Sequence, residues 1–149
     1  MNNINTLEDA IRFAISEEQK SIDFYQDLAK QVVKFESRIL LEQLSRDEMR
    51  HKVILSSILE NNDFRTELKS LESIAKMLNE NLKTVTIPTE IMGILSAAIK
   101  RELEAAKMYK ELATSGLSTE VSQLLLVMCE EELKHKRSLE LELEFYTKG

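Results

Sequence analysis

Shifted by 84 residues, the 149-residue chain falls on itself without a gap. AISEEQKSIDFYQDLA (14–29) aligns with AIKRELEAAKMYKELA (98–113), and DEMRH (47–51) with EELKH (131–135), histidine on histidine. Across 10–55 against 94–139, 13 of 46 positions are identical, and they include Glu18/Glu102, Tyr25/Tyr109, Glu48/Glu132 and His51/His135. The chain has only two histidines, each preceded three residues earlier by a glutamate. A chance recurrence of that pattern would not carry a matched Glu and Tyr with it. The chain is therefore two versions of one unit, and its fold must place that unit twice.

The unit is a pair of long helices. Three Gly and one Pro in 149 residues leave few places to break a helix, and Leu, Ile, Ala, Glu, Lys and Met dominate. Thr6, opening TLED, suits an N-cap for a first helix reaching about Val33, with Ile11, Ala14, Ile15, Ile22, Tyr25 and Leu28 at helical spacing. A short turn at about 34–37 leads to a second helix ending near Leu59. After Pro88 a third helix is expected from about Thr89 to Ser115, with Gly116 as its C-terminal cap. Ser118 or Thr119 caps a fourth, running to about Phe145. The repeat thus spans about 7–59 and 89–145. A crossover over about 60–88 joins them and contains a shorter helix at TELKSLESIAKMLNENL. This describes one all-α domain over 1–149, a four-helix bundle of two antiparallel pairs joined by a long crossover.

Residues three apart on a helix share a face, roughly 4.5 Å apart along the axis. Glu48/His51 and Glu132/His135 can therefore each offer a carboxylate and an imidazole to one metal. An inward Glu18 and Glu102 on the other two helices complete four carboxylates and two imidazoles. Four negative charges balance two divalent cations, which makes buried acids tolerable. Mostly oxygen donors with some imidazole suit iron or manganese.

These residues resemble those of the ferritin-like di-iron carboxylate superfamily, most closely the bundle domain of rubrerythrin. The resemblance covers both helix pairs. It implies two iron ions, with manganese as the alternative, held terminally by Glu18 and Glu102, bridged by Glu48 and Glu132, and bound by His51 and His135. It implies an oxidoreductase that reduces peroxide or dioxygen, and as the alternative reading a ferroxidase or iron-handling protein. Rubrerythrins append a rubredoxin-like domain with cysteine pairs, whereas this chain has one Cys. The electron donor is then a separate, rubredoxin-like protein. Rubrerythrins also carry a further ligand carboxylate on the third helix. Ile99 and Ala105 stand where it would lie, and Glu104 could serve only with a local change of helix register. A symmetric six-ligand set is closer to that of bacterioferritins. A homodimer or higher homo-oligomer is expected by the same likeness, and the lack of room for a short fifth helix weighs against a storage cage.

Other positions carry two readings. Tyr25 and Tyr109 lie two turns beyond the ligand Glu, as hydrogen-bond donors or redox-active groups near the metals, or as core aromatics. Asp47 and Glu131 precede the Glu of each pattern and either orient a histidine or stand in solvent. Cys129 aligns with Ser45 and is a packing residue or a redox group. A net charge of −6 with scattered basic residues argues against nucleic acid. No run approaches the roughly 18 apolar residues of a membrane span. The N-terminus lacks a signal-like segment, so a cytoplasmic location is expected.

Overall fold

The computed structural model describes residues 6–61 and 91–148. Among them are four helices and no strand: α1 (Leu7–Gln31), α2 (Phe35–Asn61), α3 (Ile91–Ala113) and α4 (Thr119–Lys148). One compact unit carries α1 and α2, the other α3 and α4. The expected crossover, its short helix and Pro88 lie outside the described residues. None of the helices is long and apolar enough to cross a membrane.

In the first unit, the Thr6 hydroxyl accepts from the Asp9 backbone N–H, while the Asp9 carboxylate accepts from the Thr6 N–H at 3.2 Å. This reciprocal cap satisfies two backbone donors that the first turn leaves without helical partners. Buried residues Leu7, Ala10, Ile11, Ala14, Glu18, Ile22, Tyr25, Leu28 and Ala29 trace one stripe along α1. The turn is only residues 32–34, shorter than the sequence suggested, because α2 already begins at Phe35 with Arg38 N–H on the Lys34 carbonyl. So short a link returns α2 antiparallel against α1. The α2 stripe, Leu41, Leu44, Ser45, Glu48, His51, Leu55 and Ile58, faces inward. Each fully buried Leu or Ile contributes roughly 1.5–3 kcal/mol.

The second unit repeats the design. Helix α3 ends in two tightened bonds, Thr114 N–H to the Glu111 carbonyl and Ser115 N–H to the Leu112 carbonyl. Gly116 follows at φ +89°, a conformation that glycine adopts without strain, so the expected stop signal is in use. The Ser118 hydroxyl then accepts from Val121 N–H at 3.3 Å and caps α4. The 84-residue shift carries Phe35, the first residue of α2, to Thr119, the first residue of α4. Helix α4 reaches Lys148, three residues past the expected end, where the Lys148 ammonium meets Glu144 at 2.6 Å. A cation in the last turn suits the partial negative charge of a helix C-terminus.

Candidate metal centre

The candidate ligands occupy the buried stripes, not the solvent faces. In the first unit, Glu18 of α1 faces Glu48 and His51 of α2, one helical turn apart. His51 Nδ1 lies 3.8 Å from Glu18 Oε2 and 3.9 Å from Glu48 Oε2. Ligand atoms of the three fall within 4.8 Å of one another, and all three residues are buried. In the second unit, His135 Nδ1 lies 3.5 Å from both Glu102 Oε2 and Glu132 Oε1, again among buried residues. All six expected ligands therefore assemble, as one Glu, Glu, His group in each unit.

The distances are informative. They exceed the roughly 2.7–3.2 Å of a good N–H···O bond. Two donors each about 2.1 Å from one ion lie roughly 3.0 Å apart at right angles and about 4.2 Å apart when opposed. The observed 3.5–3.9 Å separations sit within that span. Each group also holds two carboxylates out of water, an arrangement that a cation among them stabilises. The donor set, hard oxygen with one imidazole per group, fits a first-row divalent ion such as iron or manganese.

Helix geometry explains why the stripe accepts such residues. Positions 41, 44, 48, 51, 55 and 58 advance by threes and fours, so Glu48 and His51 share a seam with Leu41, Leu44, Leu55 and Ile58. Leu125, Met128, Glu132, His135 and Leu139 do the same on α4. The apolar residues above and below each group shield it from solvent.

Tyr25 and Tyr109 are both buried, as their spacing from Glu18 and Glu102 predicts, and Tyr25 packs edge-to-face on Phe24 at 5.4 Å. Asp47 is half-buried, accepts from Gln43 Nε2 at 2.9 Å and meets Arg50 at 3.6 Å. Glu131 is also half-buried. Cys129 is buried one turn before Glu132. Burial pushes its thiol above the ordinary value; the adjacent Glu130 adds to this and Lys110 opposes it.

Two buried acids lie outside the expected set. Glu17 is buried, with Lys20 Nζ 3.3 Å from Oε2, and Glu104 is buried, with Lys107 at 4.0 Å. Helix α3 is continuous through 91–113, so the register change that would turn Glu104 toward Glu102 does not occur. Two residues of helix set them about 200° apart. A Glu followed three residues later by Lys reads in sequence as a solvated pair, which is why Glu17 gave no signal.

No family profile and no curated protein sequence matches the chain. Among solved structures it is similar to a Thermotoga maritima protein assigned to the ferritin-like diiron-carboxylate proteins. The similarity covers 97% of both chains at 16% identity, with a TM-score of 0.78. The fold is ferritin-like. With it come the four-helix bundle architecture and the all-α class expected from the repeat. The buried Glu and His groups sit on this fold as a donor set compatible with a dinuclear metal site.

Proposed function

We propose that the two Glu, Glu, His groups together hold two iron ions, with manganese as the alternative, and that the protein is a rubrerythrin-like oxidoreductase. Its substrate would be peroxide or dioxygen, and its electrons would come from a separate rubredoxin-like donor. The observation that carries this reading is the duplication itself. The same three ligand types occur buried, at ion-sharing distances, at equivalent positions of both helix pairs. The likeness in fold to a protein assigned as a diiron-carboxylate protein supports it.

In this reading Glu18, Glu48 and His51 of the first unit and Glu102, Glu132 and His135 of the second would hold the ions. Two iron ions would supply the two electrons that convert one peroxide and two protons to two waters. The chain's own part is to hold six donors in place, to keep bulk water out with the leucines of each seam, and to position the phenols of Tyr25 and Tyr109 as proton donors. Tyr25→Phe is then expected to retain metal while slowing turnover. Complete metal loss would put Tyr25 among the ligands instead.

A second reading, a ferroxidase or iron-handling protein, is favoured by one feature. The two halves offer the same ligand set, with Ile99 and Ala105 where a further carboxylate would stand. Anaerobic iron(II) titration with elemental analysis, followed by peroxide or air, separates the two. Two irons per chain, oxidised faster by peroxide than by air, support the peroxide-reducing enzyme. Faster oxidation in air supports the ferroxidase. Failure to bind iron, manganese or zinc would remove the centre from either account.

A further inference from the structure

Helix α2 carries two stripes, one buried and one exposed. On the exposed side, Phe35, Ile39, Glu42, Arg46, Met49 and Val53 are separated by four, three, four, three and four residues. That alternation keeps side chains along one seam of a helix facing another helix. Phe35 and Val53 are 67% and 68% exposed, and Ile39 and Met49 are also in solvent. Four large apolar side chains along one seam call for an occupant.

The order of the seam identifies that occupant. Read in reverse, it is complementary to itself: apolar, apolar, charge, charge, apolar, apolar. An antiparallel second α2, centred between Glu42 and Arg46, sets each Glu42 opposite Arg46 of the second copy. It also sets Ile39 opposite Met49 and Phe35 opposite Val53. Within one chain Arg46 donates to Gln43 at 3.2 Å and not to Glu42, although Glu42 is one turn away. Both charges are thus available across a seam. Met49 and Val53 also line a groove with Ile22 and Gln19 of α1, at the end of the seam where Phe35 of a second copy would lie. The order is not a by-product of the duplication. The matching α4 positions are Thr119, Gln123, Leu126, Glu130, Leu133 and Arg137, without that symmetry.

We propose that α2 pairs antiparallel with α2 of a second copy of this chain, about a twofold axis between Glu42 and Arg46. Such an interface is isologous, each residue contacting its counterpart twice. The paired span, 35–53, is about 27 Å long. It is a single helix-to-helix contact at the small end of stable interfaces, so the dimer is reversible, with dissociation on the order of micromolar.

Charge exchange tests the axis directly. Sedimentation of the full chain, at constant metal content, should show a dimer at about 100 μM. Glu42→Arg and Arg46→Glu each create two like-charge pairs and should raise the dissociation constant at least about tenfold. The double exchange, Glu42→Arg with Arg46→Glu, restores both pairs and should return it to near the original. Circular dichroism checks that the three variants remain folded; Arg46 is exposed and Glu42 half-buried. A monomeric parent overturns the proposal, as does a dimer that the single exchanges leave intact or the double exchange fails to rescue. A larger particle that the single exchanges divide supports it, and one that they leave whole overturns it.

Discussion

The two helix pairs carry the same three candidate ligands at equivalent positions, yet their surroundings differ. In the first, His51 is wholly buried and stands 3.8–3.9 Å from its two carboxylates. In the second, His135 is slightly open and stands 3.5 Å from both. Beside the ligands the sequences part company. Glu17, one residue before Glu18, is buried where its counterpart Arg101 is half-buried. Glu104, two residues after Glu102, is buried where Lys20 is exposed. Ser45 is matched by Cys129. The Glu and His positions of each seam have been kept, while Glu17 and Glu104, 100–200° around the helix from them, and Ser45, one turn before Glu48, have diverged. Equal ligands in unequal surroundings should bind alike in number and differ in strength.

The largest expected effect lies at the ligands. His51→Ala and His135→Ala should each reduce metal from two per chain to about one by elemental analysis. Under the proposed reading Glu48→Gln and Glu132→Gln should reduce it further, since each would serve both ions. Losing ions that bind about a thousandfold below their working concentration removes roughly 4 kcal/mol, near 10 °C in melting temperature. In metal-free protein the sign reverses. Glu48→Gln removes one of two neighbouring buried charges and should raise the melting temperature. Lowered melting in both states would mean that Glu48 serves packing rather than metal. A His51 variant that keeps both ions while the His135 variant loses both would break the equivalence of the halves.

The next effect tests whether the two seams are packed equally. Leu55 and Leu139 are counterparts under the repeat, and both are fully buried. Each Leu→Ala change should cost roughly 2–5 kcal/mol, and the two should agree within about 1 kcal/mol. Denaturant unfolding measures both. A gap of several kcal/mol would show that one seam relaxes around its cavity and the other does not.

These contrasts also explain what the sequence could reveal. Glu18, Glu48, His51 and their counterparts were legible because three constraints coincided on them: helical spacing, rare histidines and a duplicated frame. The caps at Thr6 and Ser118 and the stop at Gly116 were legible because each residue type does one local job. Glu17 and Glu104 were not. Their burial depends on what packs around a helix face, and each is followed by a Lys that makes it look solvated. The exposed seam of α2 was likewise hidden, since Phe35 and Val53 have the same hydrophobic character as core residues at helical spacing. Periodicity detects a stripe without saying whether anything covers it.

A smaller effect compares the helix starts. Thr6 makes a reciprocal cap with Asp9, whereas Ser118 accepts a single longer bond. Thr6→Ala should cost about 1 kcal/mol and Ser118→Ala distinctly less. Equal losses would mean that the Asp9 return bond adds nothing to α1.

The smallest effect concerns Cys129 and its counterpart Ser45. Cys129→Ser installs the residue that the first helix pair already buries at this position, so the stability change should stay below about 1 kcal/mol. The thiol itself is held above its ordinary value of 9.0, chiefly by burial. Below that value folded and unfolded chains are equally protonated at this group, and stability is unaffected. Above it the unfolded chain releases its proton first, so stability declines with rising pH, and Cys129→Ser should remove that part of the decline. The same burial keeps the nucleophilic thiolate scarce, so alkylation of the folded protein at neutral pH should lag far behind that of unfolded protein. Rapid labelling of the native chain would instead give Cys129 a reactive role that Ser45 cannot share, and the comparison of the two halves would then extend from packing to chemistry.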